Sequence, residues 1–328
     1  MNKFLSAAIT ACIAAALVVA GAPAANAVPP TALPPGQTLY AIDCDQYALQ
    51  LWSLAPNGAG TPIGNTAANS IDCAGGGQVS PVTGIAYFIS YTAAGDSLAT
   101  VNLTTGAVTT IALFSGDTAT AWQLFITNSG AAFIVDGSTL YSVSLTTAVT
   151  ASIGSIAPVN PGAVGYNPAN DTIYGFSAGN VMSVYTIDRT TGAATNTGLG
   201  GNWPAANCLG GGSSAGSPDG IAFDSAGFAW VQSDSCDSNI MTVDMTTGAS
   251  TMVGELFDST GTRYANAPND FYSETFLIGP PAAAVAPAAA PALAATGIDS
   301  GAVAIAGGFG ALAALLGVML VSRRRRAA

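Results

Sequence analysis

The chain has 328 residues, half of them hydrophobic and only 8% charged, with 18 acidic residues against 7 lysines and arginines and no histidine. Without histidine, Ser-His-Asp and Cys-His catalysis are excluded and the commonest zinc ligand is missing. The net charge of −11 argues against nucleic acid or anionic surfaces as partners, because little basic surface exists to neutralise phosphates.

Lys3 precedes an apolar stretch from Ala7 to Ala20, and Ala25 and Ala27 occupy the small positions of a cleavage site. This order predicts a secretory signal helix over residues 1–27, removed after Ala27. Ile9 to Cys12 is similar to a lipobox, but Cys12 lies inside the apolar run, too early for one.

Residues 28–279 have a length suited to one large all-β domain. Up to Thr296, only Arg189 and Arg263 face seventeen acidic residues, a net charge of −15 that keeps a chain soluble. Four cysteines remain after Cys12 is lost: Cys44, Cys73, Cys208 and Cys236. An even number in an exported chain implies disulfides, with three connectivities open.

Internal repeats decide the architecture. "LATVNLTTGAVTTI" begins at Leu98, "LYSVSLTTAVTASI" at Leu140, "VYTIDRTTGAATNT" at Val184 and "IMTVDMTTGASTMV" at Ile240, with a degenerate copy, "LWSLAPNGAGTPIG", at Leu51. The starts lie 47, 42, 44 and 56 residues apart, in the range of propeller blades. Each copy alternates apolar and polar residues, breaks at Thr-Thr-Gly or its equivalent and resumes, which reads as a hairpin. Another strand precedes each copy: "TLYAID" at Thr38, "GIAYFIS" at Gly84, "AAFIVD" at Ala131, "TIYGFS" at Thr172 and "FAWVQS" at Phe228. An innermost strand is available ahead of most of these, as in "WQLFIT" at Trp122, "AVGYN" at Ala163 and "GIAFD" at Gly220. The first copy has none, whereas "NDFYSETFLI", Asn269 to Ile278, is left over at the end. The pattern therefore predicts an all-β fold, a β-propeller of five four-stranded blades closed by a C-terminal strand. It resembles surface and secreted bacterial propellers, without the Gly-His and Trp-Asp marks of the WD40 type.

In such a ring, the loops joining second to third strands and those joining blade to blade share one face. All four cysteines belong to that face, and pairing Cys44 with Cys73 and Cys208 with Cys236 requires no strand to move. The insertion Gly200 to Asp219 lies there too, carrying Trp203, which suits stacking on a sugar or partner ring and equally suits plugging the loop's own core. Asp43, Asp45, Asp72, Asp96, Asp234 and Asp237 gather on the same side as a candidate ligand face. Their oxygens suit Ca²⁺, although no complete D-x-[DN]-x-[DN]-G loop is present. A carboxylate pair would suit glycoside hydrolysis as in five-bladed glycosidases, but the only glutamates, Glu255 and Glu274, sit in no motif that fixes an acid beside a nucleophile. No catalytic residue and no cofactor is assigned.

Pro280 to Ala292 is a Pro/Ala-rich spacer that should run extended. Residues 293–328 hold Leu293, Ala294, Ala295, Thr296 and Gly297, then an uncharged stretch from Ala302 to Val321 long enough to span a membrane as a helix, then Arg323 to Arg326. Motif, helix and basic tail in this order resemble the sorting signals of sortase substrates, in the Leu-Ala-x-Thr-Gly variant of high-GC Gram-positive bacteria. The resemblance implies cleavage between Thr296 and Gly297 and attachment of Thr296 to peptidoglycan. Membrane attachment through the C-terminal helix would precede sorting. The sequence thus predicts a secreted, wall-anchored protein whose propeller is a non-catalytic binding or adhesion module for a glycan or another surface protein. A wall-anchored hydrolase and a structural wall component without a ligand stay open as alternatives.

Overall fold

The computed structural model describes residues 29–45, 48–64, 73–157, 159, 161–177, 181–202, 218–233, 239–255 and 275–280. The signal segment, the sorting signal with its apolar stretch, Cys208, Cys236, Trp203, Asp72, Asp234, Asp237 and Glu274 lie outside them. Among the described residues no helix is long and apolar enough to cross a membrane.

These residues form a five-bladed β-propeller. Blade one contains β1 (Thr38–Asp45), β2 (Ala48–Leu54) and β3 (Gly60–Ile63). Blade two contains β4 (Cys73–Val79), β5 (Ala86–Tyr91), β6 (Ser97–Val101) and β7 (Val108–Leu113). A short segment, β8 (Ser115–Gly116), leads to blade three: β9 (Gln123–Ile126), β10 (Ala132–Asp136), β11 (Thr139–Val143) and β12 (Val149–Ser155). Blade four is β13 (Pro161–Asn167) to β16 (Ala194–Asn202) through β14 (Thr172–Ser177) and β15 (Val181–Ile187). Blade five runs through β17 (Pro218–Phe223), β18 (Ala229–Ser233), β19 (Asn239–Val243) and β20 (Ser250–Glu255). The last strand, β21 (Thr275–Gly279), returns to the innermost position of blade one and pairs antiparallel with β1 from Thr38↔Gly279 to Ile42↔Thr275.

Five apolar clusters fill the five seams between blades, which explains why the second strands are apolar on both faces. On β1, Tyr40 and Ile42 pack toward blade two with Phe88, while Leu39 and Ala41 pack toward blade five with Trp230. On β10, Ile134 meets blade two and Phe133 and Val135 meet blade four, and the Phe133 and Phe125 rings stack 5.5 Å apart. The period-two alternation thus serves two cores at once. Each fully buried Leu, Ile or Phe contributes about 1.5–3 kcal/mol. The outermost strands face water on one side, hence the exposed Thr109 and Thr110 of β7. In blades two to five, a register shift between third and fourth strands twists the outer edge.

The recurring Thr-Thr-Gly is explained by the seams. In blade two, the Asn102 side chain accepts hydrogen bonds from the Thr104 and Thr105 backbone N–H groups, and Gly106 comes next at φ +72°. A Cβ at Gly106 would collide with the Ile63 carbonyl oxygen on the outer strand of blade one. Gly192 and Gly248 occupy the same position against the outer strands β12 and β16, Gly192 beside Gly154 and Gly248 beside Leu199 and Gly200. Each turn therefore rests on the outer strand of the preceding blade. Blade three departs from the pattern: Ala148 stands there at φ +55°, and β8 pairs parallel with β12 across that junction.

Candidate functional site

The inner strands have a sheet partner on one side only, so their other edges converge on the axis. There they enclose a cavity of about 360 Å³, lined by the ends of β4, β9, β13, β17 and β21 and by Gly36, Gln37 and Pro280.

One end of the axis is closed. Gln123, 2% exposed, reaches from blade three and donates through Nε2 to the Asp219 carbonyl of blade five at 2.9 Å. Thr275 Oγ1 donates to the Gly75 carbonyl, and Gly76 N–H donates to the Trp122 carbonyl at 2.8 Å. Gly76 is required for this closure, since a Cβ would run into the Gln123 side chain. This glycine-rich inner strand, "CAGGGQV", has almost no β-propensity, so the repeats do not announce it. Its chemistry is set by crowding at the axis. Two residues on, Gln78 stands in for a strand: its Oε1 accepts from Ile126 N–H at 2.8 Å and its Nε2 donates to the Ile126 carbonyl at 3.0 Å.

The other end of the cavity opens beside the first-to-second-strand loops, the side that also carries the Thr-Thr-Gly turns. Val82, 59% exposed, and Ile85, 44% exposed, stand in the β4–β5 loop on that side. Tyr166 lines the cavity and accepts from Asn128 N–H at 3.0 Å while donating to Asp171 Oδ1. Arg189, in the Thr-Thr-Gly turn of blade four, forms an ion pair with Asp171 at 2.9 Å. Burial and the hydrogen bond to Asp171 push the Tyr166 hydroxyl above its ordinary value. The Tyr166 and Arg189 hydrogen bonds hold Asp171 below the usual carboxylate range. The cavity wall itself carries amides, backbone and apolar groups, with Tyr166 its one titratable side chain among the described residues.

Asp224, fully buried in the β17–β18 loop, is a second feature with no signal in the sequence. Its carboxylate accepts from Ala226 and Phe228 N–H and from Trp230 Nε1 at 2.9, 3.0 and 3.1 Å, and so ties the loop to the seam with blade one.

Of the aspartates expected to form a ligand face, Asp43 and Asp45 stand on β1, opposite Gln50 and Ala48. Asp96 is on the β5–β6 connection, where its Oδ2 accepts from Ala121 N–H at 3.2 Å and its carbonyl accepts from Phe114 N–H. That bond ties blade two to the segment entering blade three. Among the described residues no three acidic or cysteine side chains group closely enough to hold a metal ion. Glu255 ends β20 opposite Asn239. The axial cavity thus opens on the face opposite that of the expected aspartates, an outcome that depends on the Gln123 and Gly75–Gly77 closure and left no signal in the repeats.

No protein-family model and no curated protein matches the chain. Among solved structures, a nidogen/laminin complex is similar at 13% identity and a TM-score of 0.47, with 74% of this chain and 98% of that chain covered. TolB from Acinetobacter baumannii is similar at 11% identity and a TM-score of 0.42, covering 68% of this chain and 54% of that one. At these values the likeness is one of overall shape, and the five-bladed assignment rests on sheet order and register.

Proposed function

We propose that the chain is a sortase-anchored cell-surface protein whose propeller is a non-catalytic binding or adhesion module. The observation that carries this reading is the order of segments after β21. The last described residue is Pro280, whose carbonyl accepts from Tyr40 Oη at 2.6 Å at the mouth of the axial cavity. Beyond it come a Pro/Ala-rich spacer, Leu293-Ala294-Ala295-Thr296-Gly297, an uncharged stretch and four arginines. Attachment through Thr296 would tether the propeller through the chain that follows β21.

The described wall of the cavity offers amide, backbone and apolar groups for contact with a bound partner, which supports the binding reading. The loops that bear the cysteines would be held by disulfides Cys44–Cys73 and Cys208–Cys236. In support, Cys73 is disulfide-bonded and β1, which bears Cys44, neighbours β4. Each closure restricts the unfolded chain by about 3–4 kcal/mol. The partner would be a glycan or a surface protein. Asp43 and Asp45, at the end of β1, with the neighbouring aspartates, would give any Ca²⁺ dependence.

The test incubates the purified secreted protein, disulfides intact, with wall and host polysaccharides in calcium and in chelator, and tracks retained protein and released fragments by mass spectrometry. Retention without fragments is expected. Released fragments would make the protein a hydrolase, and neither retention nor fragments would favour a structural wall component.

A further inference from the structure

We infer that β21 is the element through which tension from the tether enters the fold, and that its seating resists withdrawal along the propeller axis in shear. The inference rests on the wall-anchored reading for its physiological setting, and on the register of one strand pair for its mechanics.

β21 starts at the closed end of the axis, where Thr275 donates to Gly75, and finishes at the open end, where Pro280 is held by Tyr40. A pull on the spacer is therefore directed along the strand. With the opposite face held, the five pairs from Thr38↔Gly279 to Ile42↔Thr275 are strained together. A one-residue slip gives no relief, because it would exchange the faces of the strand. Phe276, 1% exposed, is keyed into the seam between blades five and one, and Leu277, fully buried, into the seam between blades one and two. Slipping by one would drive each into the wrong seam. Yielding in this direction must be a single event in which the pairing and both side-chain locks go at once, and it opens the ring at blade one.

The same pair is weak in another direction. Thr38 and Gly279 are partners at the open end, so a pull that separates the N-terminal segment from the spacer breaks the pairs one after another. The two geometries test the inference on one molecule. Force spectroscopy on the full chain would use handles at Ala289→Cys and Ser138→Cys, the latter exposed in the β10–β11 turn on the far face, and then at Ala289→Cys and Thr31→Cys, which is exposed before β1.

At equal loading rate, axial pulling is expected to rupture in one step at roughly twofold or greater force, since forced unfolding reports the unfolding barrier. Leu277→Ala should lower the axial force, and Tyr40→Phe, which keeps the ring and removes the hydroxyl that bonds Pro280, should lower it less. Equal forces in the two geometries, or release that begins in blade three while β21 stays paired, would overturn the inference. Loss of wall attachment is read separately, from Thr296→Ala in cells, so failure of the anchoring reading leaves this result standing.

Discussion

Gly106, in the outer turn of blade two, lies against Ile63 of blade one so closely that a side chain at Gly106 would meet the Ile63 carbonyl oxygen. Because Gly106 is also left-handed, at φ +72°, Gly106→Ala carries both conformational strain and a collision. Left-handed backbone alone costs a residue with a Cβ roughly 1–2 kcal/mol. Gly106→Ala should therefore destabilise by about 2 kcal/mol or more, read as a lowered urea midpoint with an unchanged slope. Ala148 is the internal control. Ala148→Gly relieves that strain but loses a buried methyl worth about 0.8 kcal/mol and adds unfolded-chain entropy, so its midpoint should stay within about 1 kcal/mol of the parent.

Gln123→Leu removes the amide that crosses the axis and leaves the Asp219 carbonyl without its side-chain donor. A hydrogen bond of this kind contributes about 0.5–1.5 kcal/mol net, so the melting temperature should fall by a few degrees. Gln123→Glu should be worse, since it replaces the donor by an acceptor facing a carbonyl. If Gln123→Leu melts with the parent, Gln123 does not hold the closed end.

Asp224→Ala strands three donors, one of them the indole N–H of fully buried Trp230. A loss of about 3 kcal/mol is expected, together with a changed near-ultraviolet signal from Trp230. Asp224→Asn keeps an acceptor for the loop and should recover part of the loss.

Acid should weaken the fold through Asp188 and Asp171. The Thr190 hydroxyl and the Thr190 and Thr191 N–H groups hold the Asp188 carboxyl below its ordinary value, and Tyr166 and Arg189 do the same for Asp171. A depressed folded value means that the contribution is present above the ordinary carboxylate range and is lost as pH falls through the folded value. Urea midpoints should drop between neutral pH and the acid side of that range, and the drop should shrink in the Asp188→Asn, Asp171→Asn double variant. Tyr166 works in the other direction: its raised value favours the folded state below its unfolded value, and that contribution is lost as pH rises through the folded one.

The blades are legible in the sequence because their determinants are local. The apolar runs of β1, β10 and β14, the Asn/Ser/Asp-Leu/Arg/Met-Thr-Thr turns and the leftover "NDFYSETFLI", whose end forms β21, each announce a strand or its end. Features set by neighbours distant in sequence escape such a reading. Gly76 in the inner strand of blade two is glycine because Gln123 of blade three occupies the space beside it, and β8 is a strand only because β12 offers its edge. Asp224 reads as the last residue of the inner strand "GIAFD" until Trp230 is seen to donate to it. Asp96 reads as a ligand-face carboxylate, whereas in the fold its oxygen is engaged by the Ala121 backbone. The axial cavity likewise belongs to no single segment.

Whether Thr296 joins this protein to the wall is tested most directly by releasing wall-bound protein with a muralytic enzyme and sequencing its C-terminal peptide by mass spectrometry. The expected peptide ends at Thr296 and carries a peptidoglycan fragment in amide linkage. An intact chain in the membrane fraction, with Gly297 and the Arg323–Arg326 tail still attached, would refute wall attachment.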